Sequence, residues 1–198
     1  MQRSSTIFLT IFLLIFIGSA LALSYVDISY IGNVLGLLSI VSYVFTLMPG
    51  IVKTLTPKAK RHSLVIGLMR NRRQIGVASF CFGAQHGLFI VMQRSLDLMN
   101  MHTYMQYIHG SILFGIFSLL TITSNNESVK FLKKKWQHIH QLTYIIPAIL
   151  VWHVLDNMNK RTWVTPIAEG LIYIAILLLI TKLYFLACRK GLKIKLHR

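Results

Sequence analysis

Apolar residues run along this chain in six blocks, each about the length of a membrane crossing, with polar and basic residues gathered between them. A helix that crosses the hydrocarbon core needs about 20 mostly apolar residues. The blocks at 6–24, 30–52, 74–92, 104–123, 138–156 and 166–187 meet that requirement. The pattern predicts an all-α integral membrane protein with six transmembrane helices. The fifth block is the most polar, since it carries His138, His140 and His153. No repeat or low-complexity linker interrupts the series, so residues 1–198 read as a single membrane domain. The first block follows Met1-Gln2-Arg3 and ends near Ala20 and Ala22, which also suits a cleaved signal peptide. Its apolar run exceeds the roughly 7–15 residues of a signal core, which favours a retained span.

Composition sharpens this picture. Hydrophobic residues make up 55% of the chain and charged residues only 13%, against about 25% charged in a soluble domain. The net charge of +16 is not a nucleic-acid signature, because the basic residues sit in short clusters between apolar runs. Eighteen of the 21 fall on one side: Arg3, the connections around Lys53–Arg73 and Lys130–Lys135, and the tail from Lys182 onward. Only Arg94, Lys160 and Arg161 fall on the other. The positive-inside rule therefore puts both termini and the two basic loops in the cytoplasm. Asp27, Asp97, Asp156 and Glu169 lie at the outer ends. The loops are too short for a nucleotide-binding domain, and neither a GxGxxG nor a P-loop pattern occurs. Cys81 and Cys188 lie far apart in apolar stretches and read as buried small residues, not as a disulfide or metal pair.

An imidazole within a bilayer is costly and marks a site by default. The third and fifth blocks run in the same direction. His86 lies about 12 residues into one and His153 about 15 into the other, so both stand roughly 18–22 Å from the inner surface. Two imidazoles at one depth on neighbouring helices can hold a haem iron between them. The alternative is that each simply bonds a neighbouring helix. His140, 13 residues before His153, lies about 20 Å further in and suits a second haem. On an ideal helix it would face about 140° away from His153, unless Pro147 kinks the helix. Arg72 and Arg73 stand at the inner end of the third block, where they suit headgroup contact or a haem propionate. Gly76, Gly83 and Gly87 form a stripe that lets another helix, or a flat macrocycle, come close. Trp136, Tyr144 and Trp152 are candidate pocket walls. His62, His102, His109 and His197 read as structural or solvated, with His109 the next to check. HExxH and GxSxG patterns are absent, which argues against peptidase and hydrolase chemistry.

Two motifs, Arg72-Arg73-x-x-Gly76 followed by His86 and Trp136-Gln137-x-x-His140-x-x-x-Tyr144 followed by His153, resemble those of the ferric reductase-like transmembrane domain family. The resemblance covers about residues 30–187 and is strongest to the MsrQ (YedZ) subfamily, haem-binding membrane subunits of bacterial methionine sulfoxide reductase systems. It implies six helices around one or two haem b groups. His86 and His153 would be axial ligands of the outer haem iron and His140 a ligand of the inner one. Members with four histidines carry one at the position of Arg72, so the departure here makes Arg72 the candidate opposite His140. The resemblance also implies a bacterial inner-membrane, multi-pass location and an electron-transfer subunit rather than a complete enzyme. Electrons would come from a cytoplasmic flavin reductase or the quinone pool, with FMN a further candidate cofactor. They would pass to a periplasmic molybdenum-containing reductase. The outer loops are shorter than in that subfamily, which weakens the expectation for that partner most. A stand-alone ferric or other metal reductase of the same fold is the first alternative. A transporter that relays protons or metal ions through its histidines is the second, although its spans would lack carboxylates. A scaffolding protein with incidental histidines is the third.

Overall fold

The computed structural model describes residues 28–56, 61–157 and 164–196, with four isolated positions before them (10, 14, 17 and 18). The first predicted span, Lys58, Lys60, Lys160, Arg161 and His197 therefore lie outside the described residues, apart from those isolated positions. The described chain is helical throughout, with turns between helices. The helices are α1 (Ile28–Leu55), α2 (Ser63–Gln93), α3 (Met101–Gln106), α4 (Ile108–Ile122), α5 (Asn126–Leu132), α6 (Lys134–Gln141), α7 (Ile146–Asn157) and α8 (Val164–Leu196). Four stretches are long and apolar enough to cross a membrane: Tyr30–Leu55, Ser63–Gln93, Lys134–Leu155 and Pro166–Phe185. The pair α4 and α5 makes a fifth candidate, bent by 92° at its break.

Helix α1 is the organising element. One of its faces packs along α2 and another against α8. Ile40, Tyr43, Val44, Leu47 and Ile51 recur at the three- and four-residue spacing of a single helix stripe. They meet Ala168, Ile172, Ala175 and Leu179 of α8, Ile146 and Leu150 of α7, and Leu113 and Leu120 of α4 in one core. The outer surface of α8 is apolar as well: Leu177 is 65% exposed, Ile180 59% and Leu183 60%. A water-soluble protein rarely leaves so continuous an apolar face uncovered, whereas lipid solvates it at no cost. Cys81 is buried as expected, but Cys188 is exposed on this face. The sequence placed both in the core because an apolar stretch does not tell a protein-facing side from a lipid-facing one.

The α1–α2 crossing is held by a reciprocal pair. Ser39 Oγ donates to the Ser79 carbonyl at 2.8 Å, and Ser79 Oγ donates to the Ser39 carbonyl at 2.9 Å. A Cβ on Gly83 would sit 3.1 Å from Ser39 Oγ, and one on Gly76 would sit 3.8 Å from Thr46. Two residues of the glycine stripe thus serve helix approach, while Gly87 meets none of the described residues within 4 Å.

Two breaks depart from the simple span pattern. After α4 the chain turns at Thr123–Asn125, where Thr123 and Ser124 hydroxyls bond carbonyls of the preceding turn. Asn125 then caps α5 by accepting from the Ser128 N–H at 2.7 Å. The predicted fifth span is broken by a 3₁₀ turn at Leu142–Tyr144, with Pro147 in the first turn of α7, where its missing N–H costs no helical bond.

Ser79→Ala removes one of the two crossing bonds and is expected to cost about 0.6 kcal/mol. Ser79→Leu, at a position with 0% exposure, overpacks the crossing and is expected to cost roughly 1–3 kcal/mol. Unfolding in mixed detergent, followed by circular dichroism, ranks the two; equal losses would show a loosely packed crossing.

Candidate functional site

His86 stands in α2 against Gly32 and Gly36 of α1. Gly32 and Gly36, one turn apart on α1, make that approach possible. A Cβ on Gly36 would lie 3.1–3.3 Å from three atoms of the His86 ring. Without it, the ring reaches the Gly32 carbonyl, and Nδ1 lies 2.7 Å from that oxygen. A carbonyl only accepts, so Nδ1 carries the proton and donates. The bond fixes both the tautomer and the ring orientation, and leaves the Nε2 lone pair as the coordinating atom. A backbone carbonyl that holds the far nitrogen in this way is the usual outer support of a metal-binding imidazole.

His153 comes from α7. Its ring faces that of His86 with the centroids 6.4 Å apart and the planes at 89°. A second glycine makes the space: a Cβ on Gly110 of α4 would lie 3.4 Å from His153 Cε1. Metal–nitrogen bonds of about 2 Å on either side of one ion, with half a ring added at each end, bring the centroids to about 6 Å. The separation of the pair matches that distance. Among the described residues, no group of three or more His, Cys, Asp or Glu is placed to hold a metal. Two imidazoles alone suit a metal that brings its own equatorial donors, which is the coordination of iron in a porphyrin.

The neighbours of this pair were only partly foreseen. His109, at the start of α4, is buried and stacks on Trp152 at 3.8 Å between ring centroids. It directly precedes Gly110, so the outer α4–α7 contact is aromatic beside the imidazole pair. Trp152, a candidate pocket wall, packs on His109. Gln85, next to His86 in sequence, is 4% exposed and neither of its amide atoms is hydrogen-bonded. It is an unmet polar group close to the imidazole pair. Gly32, Gly36 and Gly110 lack side-chain chemistry, and no spacing rule connects them to a histidine on another helix.

The inner end is arranged differently. His140 of α6 stacks on Trp136 at 4.1 Å and 28°, and its Nε2 lies 3.2 Å from Thr123 Oγ1. That hydroxyl already donates to the Leu119 carbonyl at 2.8 Å, so it accepts here and Nε2 carries the proton. Trp136 Nε1 donates to the Thr123 carbonyl at 2.9 Å, closing a small cluster over the α4–α5 break. Arg72 is exposed and lies within electrostatic reach of both His140 and Tyr43. Arg73 instead donates to Asn126 Oδ1 at 2.7 Å. Tyr43 Oη donates to the Thr143 carbonyl at 2.6 Å, and Lys182 both bonds the Tyr144 hydroxyl and lies over its ring. His62 precedes α2 and is exposed; the backbone N–H of His102 donates to the Asn100 side chain that caps α3.

Comparison with known proteins finds curated relatives. The chain is 32% identical over 132 residues to the protein-methionine-sulfoxide reductase heme-binding subunit MsrQ of Brucella melitensis biotype 2, covering 64% of this chain and 57% of that protein. It is 31% identical over 150 residues to MsrQ of Brucella ovis, covering 73% and 62%. The chain is a relative of MsrQ. It spans less than two thirds of the length of these MsrQ proteins. No family model and no solved structure matches it. The wider ferric reductase-like resemblance therefore rests on the two motifs, while the MsrQ relationship rests on alignment.

Gly36→Leu is expected to push the His86 ring off the Gly32 carbonyl and to cost roughly 1–3 kcal/mol. Gly87→Leu, one residue from the same histidine, is expected to cost less than half as much. Thermal unfolding in detergent measures both, and equal losses would remove the role assigned to Gly36.

Proposed function

We propose that this chain is the haem b-carrying membrane subunit of an electron-transfer system, with His86 and His153 as the axial ligands. The observation that carries the reading is the pair of facing, perpendicular imidazoles 6.4 Å apart. The Gly32 carbonyl holds His86 with Nε2 directed outward from the bond. The Gly110 gap admits His153. Bound between them, a haem supplies one-electron exchange at its iron. The chain's own part is to fix both rings and to keep the site within low-dielectric surroundings. The MsrQ relatives are named as heme-binding subunits of protein-methionine-sulfoxide reductase, and the same role is proposed here. Electrons enter from a cytoplasmic flavin reductase or quinone and leave to an extracytoplasmic molybdenum-containing reductase that acts on methionine sulfoxide. The basic end of the bundle, with Lys130, Lys133, Lys134 and Lys135 exposed or partly exposed, would draw an acidic donor with salt-sensitive rates.

A second haem at His140, with Arg72 opposite and FMN as a further cofactor, is the extension of this proposal. It requires the Nε2–H of His140 to leave Thr123, so the inner site is not preorganised as the outer one is. Six spans with cytoplasmic termini, in the bacterial inner membrane, complete the proposal.

An absorption spectrum of the detergent-purified protein, oxidised and dithionite-reduced, tests the reading. Wild type expressed with haem supplied should show sharp reduced α and Soret bands. His86→Ala and His153→Ala should lose most of the haem. His140→Ala should keep the outer haem, and a partial loss there would assign a second haem to the inner end. A colourless wild type would overturn the cytochrome reading and leave the histidine-relay transporter as the alternative.

A further inference from the structure

The end of the α1–α2 hairpin that carries the basic connection holds an open cavity of about 450 Å³, lined by Lys53, Ile66, Met69 and Arg70. Along α2, Arg70 is 16 residues from His86, about 24 Å away, so this cavity is separate from the imidazole pair. We propose that it binds the headgroup phosphate of an anionic phospholipid.

Two features of the cavity argue for that occupant. Its described lining carries two cations and no carboxylate, so its field is positive and not neutralised from within. At 28 and 31 residues, α1 and α2 run about 42 and 46 Å, well beyond the roughly 30 Å of a hydrocarbon core. Their basic ends therefore reach the headgroup layer, where each Lys or Arg attracts anionic lipid. The other two lining side chains, Ile66 and Met69, are apolar and exposed. Both precede Arg70 on α2, on the side of the basic connection, so they border the lipid's polar head while its chains pass Arg70 toward the hydrocarbon. The depth of Lys53 and Arg70, in the headgroup layer, favours a lipid phosphate over a free one.

The test compares the full-length protein, purified in mild detergent, in mixed micelles containing phosphatidylglycerol or phosphatidylcholine. Phosphatidylglycerol should raise the unfolding temperature and phosphatidylcholine should not. Mass spectrometry of the solubilised protein should find one phosphatidylglycerol retained per chain. Lys53→Gln with Arg70→Gln should weaken that retention roughly tenfold or more. Lys134→Gln with Lys135→Gln, which removes the same charge elsewhere, should leave it unchanged. Circular dichroism checks that both variants fold; if the first does not, the comparison of lipids on wild type still decides. Equal stabilisation by the two lipids, equal weakening in the two variants, or the same stabilisation by inorganic phosphate or FMN would each overturn the proposal.

Discussion

The candidate site depends on one close approach, that of the His86 ring to the carbonyl of Gly32. A helix carbonyl is normally shielded by the side chain one turn on, which here would be that of residue 36. Glycine at that position opens the second lone pair of the Gly32 oxygen to a partner from outside the helix, and the imidazole takes it at 2.7 Å. In hydrocarbon there is no water to compete, so the bond holds the ring in one tautomer and one direction. The reciprocal Ser39–Ser79 bonds and the glycine at 83 keep the two helices near enough for this to happen. Because α1 also carries the central apolar stripe, the helix that positions His86 is the one on which α8 packs. The orientation of the site and the stability of the bundle thus share an element.

The second imidazole reaches its place by a different device. His140 and His153 would diverge by about 140° on an uninterrupted helix, and no straight span could serve both ends of the membrane from one face. The three residues of the 3₁₀ turn at Leu142–Tyr144 wind at about 120° each and so change that phase by about 60°. Tyr43 bonds the Thr143 carbonyl inside that turn, so the break is anchored to α1. The position of His153 therefore also answers to α1, through the turn below it, while Gly110 of α4 leaves room for its ring.

Depth was readable in the sequence because it is linear in residue count. His86 and His153 could be placed at one level from span boundaries alone, and the structure brings their rings together, perpendicular and 6.4 Å apart. The apolar blocks from 30 onward reappear as helices for the same reason. What could not be read was lateral. Gly32, Gly36 and Gly110 act through what they omit, on helices remote in sequence from the histidines they admit. The expected glycine stripe on α2 was half right in consequence: Gly76 and Gly83 meet α1, and Gly87 does not. Pro147 was a candidate for a kink, whereas it lies in the first turn of α7, after the 3₁₀ turn at Leu142–Tyr144, since a proline is well placed at the start of a helix. The 92° bend after α4 was hidden because Thr123, Ser124 and Asn125 read equally well as the polar end of a span.

The two ends of the bundle differ in how ready they are for a cofactor. At His86 the backbone holds the proton on the nitrogen remote from the partner, so the coordinating lone pair exists before anything binds. At His140 the proton is held on Nε2 by a hydroxyl that also belongs to the α4–α5 break, and Trp136 covers one face of the ring. A cofactor there would have to break that bond and shift a tryptophan tied to the same Thr123. Occupation of the inner end would thereby loosen the bend that carries α5 and the lysines beyond it. The inner cluster and the basic surface beyond it therefore share Thr123, whereas the bond from His86 to Gly32 involves neither.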